Sequence, residues 1–136
     1  MASGQTRLLA APIALLALYG TVQGASLFKH DLQFTKAETE VSFWGRGNYQ
    51  PTPKTVSRTA RAVENLVQHA PHNPAYRSLQ ANSFAWRAYW EADATTSQQY
   101  AQQAVGAQAA AVQARPAYYQ GQVKLAEYEA RLQDVL

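Results

Sequence analysis

The uncharged run LLAAPIALLALYGTVQGASLF, residues 8–28, bracketed by Arg7 and Lys29, constrains this chain more than any other feature. Its length matches the roughly 20 apolar residues that a helix needs to cross a bilayer. Read as an uncleaved signal anchor, it spans the membrane. The positive-inside bias then holds Arg7 and the short N-terminus in the cytoplasm, and the remainder is exported. Read as a cleaved signal peptide, Arg7 is the n-region, residues 8–18 are the h-region, and the small residues of 20–25 form the processing site. Both readings export the C-terminal remainder of the chain. The anchor is preferred because apolar residues resume at Ala25, Leu27 and Phe28, and no A-x-A pattern marks a cleavage site. Lys29 puts a positive charge on the exported side and weakens the topology argument; a buried helix of a soluble protein is the third reading. Pro12 is tolerable near the start of a membrane helix.

The rest of the 136 residues make one small domain. Charged residues make up 15% of the chain, below the roughly 25% usual in soluble domains, while 47% are apolar, enough for a core. The abundant Ala, Gln, Leu, Glu and Arg favour helix, and the sparse Ile and Val give no run of strand, so an all-α fold is expected. Twelve Lys and Arg stand against 9 acidic residues, a net charge of +3 that reads as scattered along the chain. No basic block of the kind that marks a nucleic-acid binder is evident. Cysteine is absent, which excludes a disulfide framework, Cys-ligated zinc and a Cys nucleophile but leaves the redox compartment open.

Residues 30–43, HDLQFTKAETEVSF, continue the membrane helix as an amphipathic stalk, with apolar positions at Leu32, Phe34, Ala37, Val41 and Phe43. Gly45, Gly47, Pro51 and Pro53 then break regular structure across WGRGNYQPTPK, the principal loop. A first domain helix is expected over 53–69, with Thr52 as N-cap, Pro53 in the first turn, and Val56, Ala60, Val63 and Val67 at helical spacing. Asn73 and Pro74 repeat the signal and open a second helix over 74–90. Its apolar residues occupy more than one face, so it should pack between two neighbours. A turn at 91–97 leads, through a Thr or Ser cap, to an alanine-rich third helix over 97–114. A fourth is expected over 117–134, with Tyr118, Leu125, Tyr128 and Leu132 on one side and Tyr119, Val123 and Ala126 on another. It runs toward Leu136, so its end is expected either uncapped or covered. The domain reading is 1–28 anchor, 29–52 stalk and loop, and 53–136 helical domain.

The segments AVENLVQHAPHNPAY (62–76) and AVGAQAAAVQARPAYY (104–119) match in outline. In each, a helix stops at a proline and an aromatic residue starts the next one. This is how the second helix of a tetratricopeptide repeat ends. Counting back from Pro116, Ala111 and Ala104 take the repeat's two small positions; counting back from Pro71 gives Leu66 and Thr59. The prolines lie 45 residues apart, not the ~34 of that repeat, so a degenerate pair with an insertion is expected.

Catalytic signals are weak. His69 and His72 form an H-x-x-H interrupted by Pro71, without a third ligand. Glu91 with Asp93, and Glu127 with Glu129, are carboxylates two apart, which on a helix do not face each other. No P-loop, dinucleotide fingerprint or G-x-S-x-G elbow is present. No enzyme, cofactor or metal site is therefore expected. The loop is more promising. It gathers Trp44, Arg46, Tyr49 and Lys54, and such rings can stack on sugars while Arg forks to acidic or phosphorylated groups. The alternative is that Trp44 and Tyr49 cover the first hairpin and Arg46 marks the membrane surface. Trp86 and Trp90, one turn apart, are either core or the floor of a groove.

The run FWGRGNYQPTPKTVSRTARAVENLVQHAPHNPAY, the AWRAYW helix and RPAYYQGQVKLAEY together resemble the VpsP-type polysaccharide-biosynthesis family over residues 42–136. The resemblance implies a small bacterial protein with one membrane segment and tetratricopeptide-like helices, acting in exopolysaccharide production. It brings no catalytic residues. The resulting expectation is a non-enzymatic adaptor, a single-pass inner-membrane protein with its C-terminal domain in the periplasm. It would bind protein components of a polysaccharide synthesis or export complex, with Trp44, Arg46, Tyr49, Lys54, Trp86 and Trp90 as candidate surface. Alternatives are a carbohydrate-binding module for the nascent polymer and an accessory subunit of an unrelated membrane complex.

Overall fold

The computed structural model describes the backbone of residues 3–135 and the side chains of 11–134. The side chains of Arg7 and Leu8 and all of Leu136 lie outside the described residues. Five helices succeed one another: α1 (Ser3–Phe43), α2 (Pro53–His69), α3 (Pro74–Trp90), α4 (Ala94–Ala114) and α5 (Tyr119–Val135). The chain is all-α, with no strand among the described residues.

The chain divides into two compact units, Met1–Gln33 and Phe34–Leu136. In the first, α1 is long and apolar enough to cross a membrane, and none of its apolar window is buried. Leu15, Leu16, Leu18 and Phe28 are all exposed.

In the second unit, Ala37, Val41 and Trp44 from the end of the stalk are buried with Val63 of α2 and Leu79 of α3. The last turns of α1 are thus part of the core. Leu66, Val67 and Tyr76 form a second cluster, in which Phe34 meets Tyr76 with ring centroids 5.3 Å apart. Ala81, Ala107 and Tyr128 form a third, joining α3, α4 and α5. Helix α3 packs between α2 and α4. Two-sided apolar character of that kind requires two neighbours.

The helix starts obey local chemistry. Thr52 Oγ1 accepts from the Thr55 amide, and Asn73 Oδ1 accepts from Ala75 and Tyr76. Each cap precedes a proline whose missing N–H would have had no helical partner. Helix α4 starts at Ala94, three residues before its expected start at Ser97, because Asp93 is the cap. Its carboxylate accepts from both the amide and the hydroxyl of Thr96, which holds the carboxyl below its ordinary range. Ser97 instead donates to the Ala88 carbonyl at 2.8 Å, tying α4 to the end of α3. Helix α5 starts at Tyr119, two residues later than expected. Pro116 and Ala117 form a turn closed by Tyr118 N–H to the Arg115 carbonyl.

The two helix junctions are built alike. Ala70 and Arg115 end their helices with nearly the same backbone angles, φ −138° and −144°, ψ 78° and 69°. Asn73 and Tyr118 each donate an amide back across the turn to Ala70 and Arg115. Six residues after each proline a side chain donates to the proline's carbonyl, Arg77 to Pro71 at 2.8 Å and Gln122 to Pro116 at 2.6 Å. Thr59, Leu66, Ala104 and Ala111, the four positions counted back from the prolines, are all buried.

Between these pairs sits a buried amide. Gln108 accepts from Ser78 Oγ at 3.2 Å and donates to the Gly121 carbonyl at 2.9 Å, linking three helices. A buried side-chain amide must be satisfied in this way to be tolerated.

Candidate functional site

After Phe43, Gly45 and Gly47 adopt positive φ of 74° and 53° and turn the chain out of α1. The left-handed region is open to glycine without steric cost. At Gly45 the approach is also close, because a Cβ there would lie 2.0 Å from the Trp86 indole. Glu40 anchors the loop from below. Its Oε1 accepts from Trp44 Nε1 at 3.0 Å and from the Tyr49 hydroxyl. That hydrogen bond raises the Tyr49 pKa, with the charge of Arg58 pulling the other way.

The three tryptophans form one assembly in which exposure is graded. Trp44 is 2% exposed, Trp86 is half-buried and Trp90 is 39% exposed. The ring of Trp90 lies 5.2 Å from Trp44 and 5.4 Å from Trp86, stacked on the latter, and Tyr89 meets Trp86 edge-on at 5.8 Å. The choice between core and groove thus resolves by residue. Trp44 is core, Trp86 packs against that core, and Trp90 with the 75% exposed Tyr89 faces outward.

An open groove of about 1290 Å³ lies over this assembly. Tyr49, Gln50, Pro51 and Pro53 of the loop form one side, and Trp86, Tyr89 and Trp90 of α3 line its floor. The other side is α5, with Lys124, Glu127, Arg131 and Asp134 at alternating charge. Tyr128 also lines the groove from α5, and its burial pushes the phenol pKa up.

Of the expected surface residues, Tyr49, Trp86 and Trp90 converge on the groove. Trp44 lies beneath it, withdrawn into the core as a support for Trp90. Arg46 and Lys54 are exposed but do not line it. Arg46 sits over the Phe43 ring at 5.9 Å. The α5 side is absent from the sequence-based expectation, although the spacing of Lys124, Glu127, Arg131 and Asp134 by three and four residues places them on one helical face. Tyr89 stands out in the sequence only as part of an apolar helix.

Glu91 and Asp93 are engaged locally: Glu91 accepts from the Asp93 amide at 3.2 Å, and Asp93 is the α4 cap. Among the described residues no group of three or more His, Cys, Asp or Glu side chains is gathered to hold a metal ion. Compared with family models, curated proteins and solved structures, the chain matches none.

Proposed function

We propose that this protein is a non-catalytic adaptor, anchored in the bacterial inner membrane by α1, whose periplasmic helical domain binds a protein component of a polysaccharide synthesis or export machine. The observation that carries the binding role is the groove, in which Trp90 and Tyr89 present apolar ring surface beside the charged side of α5. Aromatic residues with exposed faces and neighbouring charges suit the burial of a partner helix or strand. The pathway rests on the resemblance of the loop and the two junctions to the VpsP-type family. The tetratricopeptide-like reading draws support from the equivalence of the junctions at Pro71 and Pro116 and from the small or buried positions before them.

The test is affinity purification of tagged full-length protein from native membranes in mild detergent, with mass spectrometry of the recovered proteins. Recovery of synthesis or export proteins, lost on Tyr89→Ala and Trp90→Ala with helical circular dichroism unchanged, is the expected result. Tyr89 is the cleaner probe, because Trp90 also supports Trp44. Recovery of the tagged protein alone would overturn the adaptor reading.

A further inference from the structure

Residues 41–63 hold four cations, Arg46, Lys54, Arg58 and Arg61, and no anion, whereas the rest of the chain holds eight cations against nine anions. The net positive charge of the protein therefore resides in this one segment. Folding turns the segment into a surface. Lys54, Arg58 and Arg61 recur at i, i+4 and i+7 on α2, all exposed, and Arg46 is exposed on the loop that leads into it.

Helix electrostatics oppose this arrangement. Like charges three and four residues apart repel. Cations near a helix N-terminus meet the positive end of its macrodipole, and α2 has no acidic residue in its first turn to offset them. The side chains and the dipole act with the same sign, so the face attracts anions. Aromatic surface adjoins it. Phe43 and Tyr49 are 48% and 39% exposed with ring centroids 6.2 Å apart, and Arg46 lies over Phe43; the Tyr49 hydroxyl is held by the Glu40 carboxylate, with the charge of Arg58 acting on it in the opposite sense.

We propose that this face, made of Arg46, Lys54, Arg58 and Arg61 flanked by Phe43 and Tyr49, binds an acidic polysaccharide that carries carboxylates on its sugar rings. Guanidinium forks match carboxylates in planar, bidentate geometry, and the exposed rings offer flat apolar surface to the C–H faces of the sugars. An acidic peptide or an anionic lipid headgroup supplies the charge without a sugar face for the aromatics. None of the four cations lines the groove, so the charged part of this site is separate from the groove, and Tyr49 is a residue that borders both.

The experiment titrates full-length protein, in nonionic detergent at low ionic strength, with polygalacturonate. Dextran, polyglutamate and phosphatidylglycerol vesicles are titrated in parallel. Polygalacturonate should bind with an affinity that falls as salt is added, and dextran should not bind. The Arg58→Gln/Arg61→Gln double variant should lose at least about tenfold in affinity with its helical circular dichroism intact. Tyr49→Leu should weaken polygalacturonate binding while leaving polyglutamate binding as it was, and Tyr89→Ala should change neither. Equal affinity for polyglutamate, binding to vesicles alone, no binding of polygalacturonate, or wild-type affinity in the double variant would each overturn the proposal.

Discussion

At Gly45 two requirements coincide, a φ of 74° and a Trp86 ring within 2.0 Å of where a Cβ would stand. Gly47 shares only the first, since nothing lies within 4 Å of its missing Cβ. A left-handed residue with a side chain costs about 1–2 kcal/mol, so Gly47→Ala should destabilise by roughly that amount and no more. Gly45→Ala adds displacement of Trp86, which is stacked on Trp90, and should cost at least about 2–3 kcal/mol. It should also shift the tryptophan emission, which Gly47→Ala should leave in place. Urea melts of the two variants followed by fluorescence make the comparison, and equal losses would show that the contact between Gly45 and Trp86 is not constraining. The glycines themselves were legible as chain breakers. Their partner was not, because Trp86 lies far along the chain and only tertiary folding brings it over the loop. The same holds for Trp44, whose place in the core depends on Val63 and Leu79.

Helix α2 is stable in spite of its surface. Thr59, Val63, Leu66 and Val67 bury its inner face, and that packing, not its exposed charges, holds it in place. Changing Lys54 and Arg58 to Gln should therefore raise stability. Relief of two like-charge pairs, Lys54 with Arg58 and Arg58 with Arg61, and of the Lys54 cation in the first turn is worth roughly 0.7–2 kcal/mol. Thermal unfolding should show the midpoint rising, with the gain shrinking in high salt as screening removes the repulsion. A falling midpoint would mean that the cations serve the fold, which would remove the reason for assigning them to a ligand. The bounds of α2 and α3 were legible because cap and proline stand side by side in the sequence, and the start of α4 differs from expectation because Asp93, Thr96 and Ser97 are all competent caps. Hydrogen bonds decide among them: Asp93 takes the Thr96 amide, and Ser97 turns to Ala88. The basic face of α2 is hidden in the sequence for a related reason. Its cations are separated by three and four positions, so they read as scattered in the chain and gather only on a helix.

The molecule's helical body begins before its first full domain helix. Phe34, Ala37, Val41 and Trp44 pack with residues of α2 and α3, and Val41 and Trp44 are each only 2% exposed. The sequence places the start of the domain at Pro53, where proline and cap announce a helix; the amphipathic spacing of Phe34, Ala37 and Val41 marks an apolar face on the stalk but does not say that α2 and α3 cover it. Burial of a side chain the size of Phe34 or Val41 stabilises by about 1.5–3 kcal/mol and of the Ala37 methyl by about 0.8 kcal/mol, against a total stability of about 5–15 kcal/mol for a domain. A chain beginning at Phe34 retains all of these contacts, whereas one beginning at Pro53 loses them and exposes Val63, Leu79 and Trp86 to water. The fragment 34–136 should therefore give a helical circular dichroism spectrum and a cooperative thermal transition. The fragment 53–136 should lose cooperativity, bind a hydrophobic dye and show reduced helicity. Replacing Trp44 with Ala in 34–136 should move it part of the way, since the cavity and the lost support for Trp90 cost about 3–5 kcal/mol. If instead 53–136 melts as cooperatively and at the same midpoint as 34–136, the stalk is a passenger and the core closes without it. If it fails as expected, the end of α1 is a structural member of the domain, and the loop between α1 and α2 is held at both ends by the same core.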